Sequence, residues 1–208
     1  MEDDNTKVAM FENGEVDAIE QISSQYFDHL NEYLTSFVGG GIMFLWINQQ
    51  GTSPETAALL SNQNFRQALN YGFDRSATVN AVNPGYKAYN RLVDSNFAGP
   101  GGGKFVDEYP VETAPLSGDV DQAKEYLAAA MEELGYSDVS QLPQLELITW
   151  DTSEQKLLLK TIIDQWKQNL GLENIQLTQY VIGTAIGSFY DLSYDLFSIT
   201  WELSLIHI

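Results

Sequence analysis

Only two histidines occur in the 208 residues, His29 and His207, and there is no cysteine. A Ser-His-Asp arrangement needs an imidazole to take the serine proton. His29 stands in the polar run Phe27-Asp28-His29-Leu30-Asn31-Glu32, the setting of a solvated surface side chain, and His207 lies next to the last residue. Without thiols, disulfides, thiolate nucleophiles and cysteine-ligated zinc are excluded. Carboxylates are abundant, and two facing each other across a cleft could hydrolyse a glycosidic bond. Glu2-Asp3-Asp4 and Glu132-Glu133, however, are sequence neighbours and read as solvated charge. Gly99-Pro100-Gly101-Gly102-Gly103-Lys104-Phe105 has the look of a phosphate loop but carries Ala98 and Phe105 where Gly and Ser/Thr are required. No strand is expected to lead into it and no helix to follow it. Calcium-loop and zinc-helix spacings are missing. The expectation is no catalytic residue, no metal ligand and no cofactor.

The elements that would position any site are clearest in the C-terminal half. Asp119 to Leu134 reads as a helix stopped by Gly135, and Leu145 to Trp150 alternates as a strand. Asp151, Thr152 or Ser153 can cap a long helix, Glu154 to Leu170, whose stripe includes Leu157, Leu158, Ile162, Ile163, Trp166 and Leu170. Gly171 falls at its C-cap, and Ile175 begins another strand. Strand, helix, strand with short joints is a βαβ unit with parallel strands and a right-handed crossover. A last strand runs from about Tyr194 to Trp201.

The N-terminal half is less regular. A helix over Thr6–Asn13 ends at Gly14, Val16–Ile19 alternates like a strand, and Ser23 or Ser24 can cap a helix from Gln25 to about Tyr33. Gly39-Gly40-Gly41 breaks the chain before the apolar strand Ile42–Asn48. Asn64–Asn70 forms a helix with Phe65, Ala68 and Leu69 on one face, interrupted at Gly72–Arg75 and resumed over Ser76–Val82. Asn83 to Leu116, rich in Gly, Pro and Tyr, reads as an ordered irregular segment.

Lys and Arg number 10 against 29 Asp and Glu, a net charge of −19. That balance excludes nucleic acid and disfavours an anionic membrane surface. At 44% hydrophobic residues the chain has enough apolar surface for a core. No apolar run reaches the length of a membrane span, and the acidic Met1-Glu2-Asp3-Asp4 start is unlike a signal peptide. Leu203-Ser204-Leu205-Ile206-His207-Ile208 matches the translation of a common sequencing-transposon end, so residues 203–208 are expected to be adapter read-through, with a genuine apolar tail as the alternative.

Several segments, in order, resemble the extracellular solute-binding proteins of the oligopeptide and dipeptide class. Asn64-Phe65-Arg66-Gln67-Ala68-Leu69-Asn70-Tyr71-Gly72-Phe73-Asp74-Arg75 resembles the family's VRQALNYAIDR signature. Phe11-Glu12-Asn13-Gly14-Glu15-Val16-Asp17 is similar to its F-x-x-G-E-x-D turn. Phe44-Leu45-Trp46-Ile47-Asn48 resembles its hinge strand, and Asp121 to Tyr136 its D-x-x-K helix. Leu170-Gly171-Leu172 is similar to its L-G-I joint, and Tyr194-Asp195 through Trp201 resembles the strand ending in a pocket Trp.

The resemblance implies an α/β fold of the two-lobed, type II periplasmic-binding-protein kind. Residues 1–47 would be the end of the first lobe with a hinge strand, and 48–202 an incomplete second lobe. It implies a peptide ligand held between the lobes, delivery to ABC permease subunits, an extracytoplasmic location as a lipoprotein or in the periplasm, and a monomeric full-length protein. Trp201 is then the candidate ligand contact, with a core Trp closing a strand as its alternative. Tyr180 and Ser198 stand near positions that can face the cleft, against core or surface roles, and Asn48 would hydrogen-bond at the hinge. The aspartate that in oligopeptide binders follows the pocket Trp would fall at Ser204, so no residue is assigned to the ligand's amino terminus. Another cargo on the same scaffold (nickel, haem, glutathione or sugar) and a carbohydrate-active enzyme are the competing readings.

Overall fold

The computed structural model describes residues 4–20, 22–35, 41–83 and 85–202, the last two as backbone only. Four strands rich in apolar and aromatic residues form one sheet: β1 (Gly41–Ile47), β2 (Leu145–Trp150), β3 (Ile175–Tyr180) and β4 (Leu196–Glu202). Their order is β1-β4-β2-β3. β2 is parallel to both β3 and β4, while β1 lies antiparallel to β4 along its whole length, from Gly41 opposite Glu202 to Ile47 opposite Leu196. Residues 203–208, including Ser204 and His207, lie outside the described residues, as do Gly39 and Gly40.

The helices are α1 (Asp4–Glu12), α2 (Pro54–Ser61), α3 (Gln63–Tyr71), α4 (Arg75–Val82), α5 (Phe105–Glu108), α6 (Val120–Leu134), α7 (Ser153–Leu170) and α8 (Ile182–Tyr190). Asp119 and Thr152 cap α6 and α7 through their side chains, and Gly135 and Gly171 end them in the left-handed conformation, as the sequence anticipates. The βαβ unit β2–α7–β3 forms with the expected parallel strands.

Strand alternation divides the core in two. On one face Leu145, Leu147, Ile175 and Leu196 meet Leu158, Leu159, Ile162 and Trp166 of α7, with α3 and α6 behind. Trp166 is 1% exposed and donates its indole N–H to the Leu69 carbonyl at 2.8 Å. The stripe of α7 differs from expectation at one place: Leu157 is exposed, and Gln155 and Leu159 face inward instead. At 100° per residue, 155, 159, 162, 166 and 170 share a face that 157 cannot join. On the other face Ile148 and Phe197 meet Ala185 of α8 and Tyr194.

Three expectations fail locally. Val16–Ile19 is not a strand; among the described residues nothing pairs with it. Gln25–Tyr33 is not a helix but two 3-10 turns, Ser24–Tyr26 and Asn31–Tyr33. Side-chain bridges from α1 hold this stretch: Asp4 to Ser23, Asn5 to Tyr26, and Glu12 to His29 at 2.6 Å. The helix over Ser76–Val82 does form after the interruption, as α4, capped by Asp74, whose carboxylate accepts from Ala77 N–H at 2.8 Å. A helix does follow the glycine loop, since α5 begins at Phe105. The α2 and α8 helices had no counterpart in the sequence reading. Ser53 and Thr56 form a capping box around Pro54 at the start of α2. By contrast α8 contains Gly183, Thr184 and Gly187, poor helix formers, and rests on the burial of Ala185.

Residues 85–116, apart from α5, are irregular but pinned, as expected of Asn83–Leu116. Asn90 donates to the Ala114 carbonyl at 2.7 Å, Arg91 to Val106 at 3.1 Å and Tyr89 to Val93 at 2.7 Å. Tyr86 donates its hydroxyl to Glu154 Oε1 at 2.5 Å, tying the segment to the first turn of α7. Partial burial, then this carboxylate, pushes the Tyr86 phenol up to about 12.

Trp166→Ala is expected to cost about 3–5 kcal/mol in urea unfolding, since it deletes the largest buried side chain and strands the Leu69 carbonyl. Raising the Tyr86 pKa favours the folded state only while the phenol is protonated. Its contribution is therefore complete below pH 10, the ordinary tyrosine value, and is lost as pH rises to about 12. Tyr86→Phe should remove a phenolate absorbance step near pH 12 and flatten the loss of stability over that window.

Candidate ligand-binding site

The α7 connection leaves the carboxyl end of β2 for one face of the sheet, and α8 leaves the adjacent β3 for the other. Two neighbouring parallel strands whose exits diverge open a crevice outside their carboxyl ends, a common place for ligands in α/β sheets. Here the crevice lies between Trp150–Thr152 and Tyr180–Ile182. Its base is closed by the Asp151 N–H bond to the Tyr180 carbonyl at 2.8 Å and by Gln179, whose amide donates to the Thr152 carbonyl at 3.2 Å. Val181 and Ile182 at the start of α8 are 69% and 63% exposed, so an apolar lip borders the crevice.

Aromatic side chains floor this face. Phe189 of α8 lies 5.1 Å from Phe197, 5.7 Å from Tyr194 and 5.6 Å from Trp46 between ring centroids, and Trp46 lies 5.5 Å from Phe44. Trp150, Tyr180 and Ile199 pack against the same cluster. Tyr194 and Phe197 are buried, so the aromatic area a ligand could reach is that of the partly exposed Trp46, Trp150 and Tyr180, with the exposed Asp151 carboxylate beside the crevice.

The four candidate residues separate. Tyr180 ends β3 at the crevice, partly buried among these aromatics. Trp201 belongs to β4 opposite Ile42, at the same carboxyl end of the sheet as Tyr180, with its side chain outside the described residues. Ser198 does not face the cleft: it is 1% exposed, and its hydroxyl donates to Gln155 Oε1 of α7 at 3.2 Å. Alternation along β4 puts Ser198 on the face of Leu196, under the long helix, because the intervening Phe197 belongs to the aromatic face.

Asn48 lies at the other end of the sheet, about 17–20 Å along the strands from Trp201. It is buried, and its amide donates to the Tyr194 carbonyl at 2.9 Å and the Leu192 carbonyl at 3.1 Å. Its Oδ1 accepts from Gln50 N–H at 3.1 Å, and its own N–H donates to the Asp195 carbonyl at 2.9 Å. Leu192 sits at φ 55°, unfavourable for a side chain with Cβ, and Asn48 holds its carbonyl there.

Sequence reasoning missed Asp195. Although 2% exposed, its carboxylate accepts three hydrogen bonds: Thr52 N–H and Thr52 hydroxyl at 2.9 Å each on Oδ1, and Glu146 N–H at 3.0 Å on Oδ2. Three donors compensate the desolvation of the charge. The turn that delivers Thr52 depends on Gly51, at φ 60°, where a Cβ would lie 2.3 Å from Ala57 N. The only sequence signal was the pair Tyr194-Asp195 itself, legible as a motif but not as a knot.

The profile of "Bacterial extracellular solute-binding proteins, family 5 Middle" matches residues 1–202. The chain belongs to this family. It is 27% identical over 146 residues to the oligopeptide-binding protein OppA of Bacillus subtilis, a match spanning 68% of this chain but 25% of that protein. Among solved structures, Listeria monocytogenes OppA bound to peptide superposes with a TM-score of 0.78 at 19% identity, covering 97% of this chain and 39% of that one. Haemophilus influenzae OppA in complex with RPPGFSPFR gives 0.67 at 20% identity, covering 95% and 37%. The fold is thus that of the two-lobed periplasmic binding proteins, and the chain spans under two fifths of the length of these two structures and a quarter of the Bacillus protein. The family is extracellular by description, and the relatives named here are binding proteins.

The family signature Asn64–Arg75 is spent on folding. Arg66 donates to the Leu60 carbonyl at 2.9 Å, and Arg75 to the Asn70 carbonyl at 3.0 Å while lying 4.3 Å over the Phe73 ring. The Asp74 N–H donates to Gln165 of α7 at 2.7 Å.

Asp195→Ala is expected to cost about 3 kcal/mol in chemical denaturation, because it removes three hydrogen bonds to a buried carboxylate and takes from the partly buried Glu146 N–H its acceptor, while Thr52 N–H keeps Thr56 Oγ1 at 3.0 Å. Thr52→Val, which removes one donor only, should cost about 1 kcal/mol.

Proposed function

We propose that this chain is the greater part of the second lobe of an extracytoplasmic oligopeptide-binding protein, which captures peptides between two lobes and hands them to an ABC permease. Residues 1–47 belong to the end of the first lobe and the strand entering the second, and 48–202 to the second lobe itself. The carrying observation is that Trp150 and Tyr180 end the adjacent parallel strands β2 and β3, partly buried against the aromatic face, in a chain of this family. Tyr180 and Trp201 stand at the carboxyl end of the sheet, and both are proposed to touch the peptide. Ser198 acts behind them, fixing β4 to α7 through Gln155. Asn48 anchors the β1–β4 pair at its far end, so that bending between lobes is confined to the Gly41/Glu202 end of the same pair.

The relatives named OppA support peptide as cargo, two of them by structures that contain one. The reading includes no catalysis, a lipoprotein or periplasmic location and a monomeric full-length protein. Peptide capture is then a shift between open and closed lobes by the ligand's differential contacts.

Calorimetric titration of the full-length protein with a mixed oligopeptide pool should show saturable binding. Trp201→Ala and Tyr180→Ala should each weaken it about tenfold or more, as loss of a buried aromatic contact does. Unchanged affinity in both variants, or binding of nickel, haem, glutathione or sugar in place of peptides, would overturn the proposal.

A further inference from the structure

The outer edge of the sheet carries a groove that the crevice does not use. β3 is the terminal strand, paired with β2 on one side only. Leu145 N–H donates to the Asn174 carbonyl and Asp151 N–H to the Tyr180 carbonyl, each at 2.8 Å, so even-numbered carbonyls in this stretch turn toward β2. Backbone groups of successive strand residues point to opposite sides. Ile175, Leu177 and Gln179 therefore direct N–H and C=O outward, along an edge with no partner strand among the described residues. The side chains of the same three residues lie against α7, where with Lys156, Lys160, Ile163 and Asp164 they line a groove of about 400 Å³.

This combination suits an extended chain. Outward amides and carbonyls supply main-chain pairing, and alternate side chains of an added strand would reach the apolar floor of Ile163, Ile175 and Leu177. The rim selects charge. Lys156 and Lys160 are exposed on successive turns of α7, and neither has a carboxylate within ion-pair distance among the described residues. Asp164, one turn further, is the only acidic side chain lining the groove among the described residues. In a chain of net charge −19, two unpaired cations beside an open strand edge mark a place where an anionic partner is not repelled.

We propose that the groove between β3 and α7 receives an extended acidic segment of a partner protein, added to β3 as a further strand. Lysines over a sheet edge can also serve only to deter self-pairing, and the test separates the two roles. The probe is a fluorescein-labelled, N-acetylated, C-amidated peptide of about seven alternating Val and Glu residues, long enough to cross the edge, with its Val/Lys counterpart as control. Anisotropy titration of the 208-residue chain should give saturable binding of the acidic peptide alone, weakened by salt. Lys156→Glu with Lys160→Glu should reduce affinity about tenfold or more, and the milder Lys→Gln pair should reduce it less. Trp201→Ala should leave it unchanged, and amide exchange at Ile175, Leu177 and Gln179 should slow. Absent saturation, equal binding of the basic peptide, self-association of the Lys→Gln variant when the unaltered chain binds no acidic peptide, or loss through Trp201→Ala instead of the lysines would each overturn the proposal.

Discussion

The buried carboxylate of Asp195 joins three pieces of chain: the turn after β1 through Thr52, the first residues of β2 through Glu146, and the entry to β4. Its own carbonyl receives Asn48, which in turn ties down the end of the α8 connection. A charge this far from water is tolerated only because every direction it faces carries a donor. The arrangement sets the register of β1 against β4, and with it which side chains fall on the helix side of the sheet and which on the aromatic side. Shift either strand by one residue and Phe197 would exchange places with Ser198.

The sheet thereby separates two tasks. One face is filled by α7 and the helices behind it, and polar groups there, Gln155 and Ser198, satisfy each other. Among the described residues the opposite face is covered by α8, which leaves Trp46, Trp150 and Tyr180 only partly buried. Rigidity comes from the first face and ligand-accessible area from the second. The family signature between α3 and α4 belongs wholly to the first task.

How much of this could be read from the sequence depended on whether a segment carries its own period and punctuation. The α6 and α7 helices have a cap residue, a stripe and a terminal glycine, and their bounds were legible to within a residue or two. The α8 helix has none of these; Gly183 and Gly187 argue against it, and tertiary burial decides. Ser24–Tyr33 has a cap and apolar residues but is held by side chains of α1, a long-range cause invisible locally. The site behaved likewise. The places of Tyr180 and Trp201 at the carboxyl end of the sheet were legible from the strand ends, whereas the face of Ser198, one parity step from the aromatic face, required the observed register. Asp195 was hidden because its three donors come from positions about 50 and 140 residues away in sequence.

The pairing of β1 with β4 also sets a timetable. β1, an apolar stretch containing Phe44 and Trp46, leaves the ribosome about 150 residues before the strand it pairs with. Until β4 is made, β1 is an unmatched hydrophobic edge, and every contact it finally makes is of high sequence separation. The α3–α6 and β2–α7–β3 units can form in the interval from nearer contacts, leaving the β1–β4 ladder to close last. A nascent chain of this family therefore travels with one sticky strand exposed while about 150 further residues are made, a period in which holdase chaperones or slow release would matter more than the stability of the finished fold.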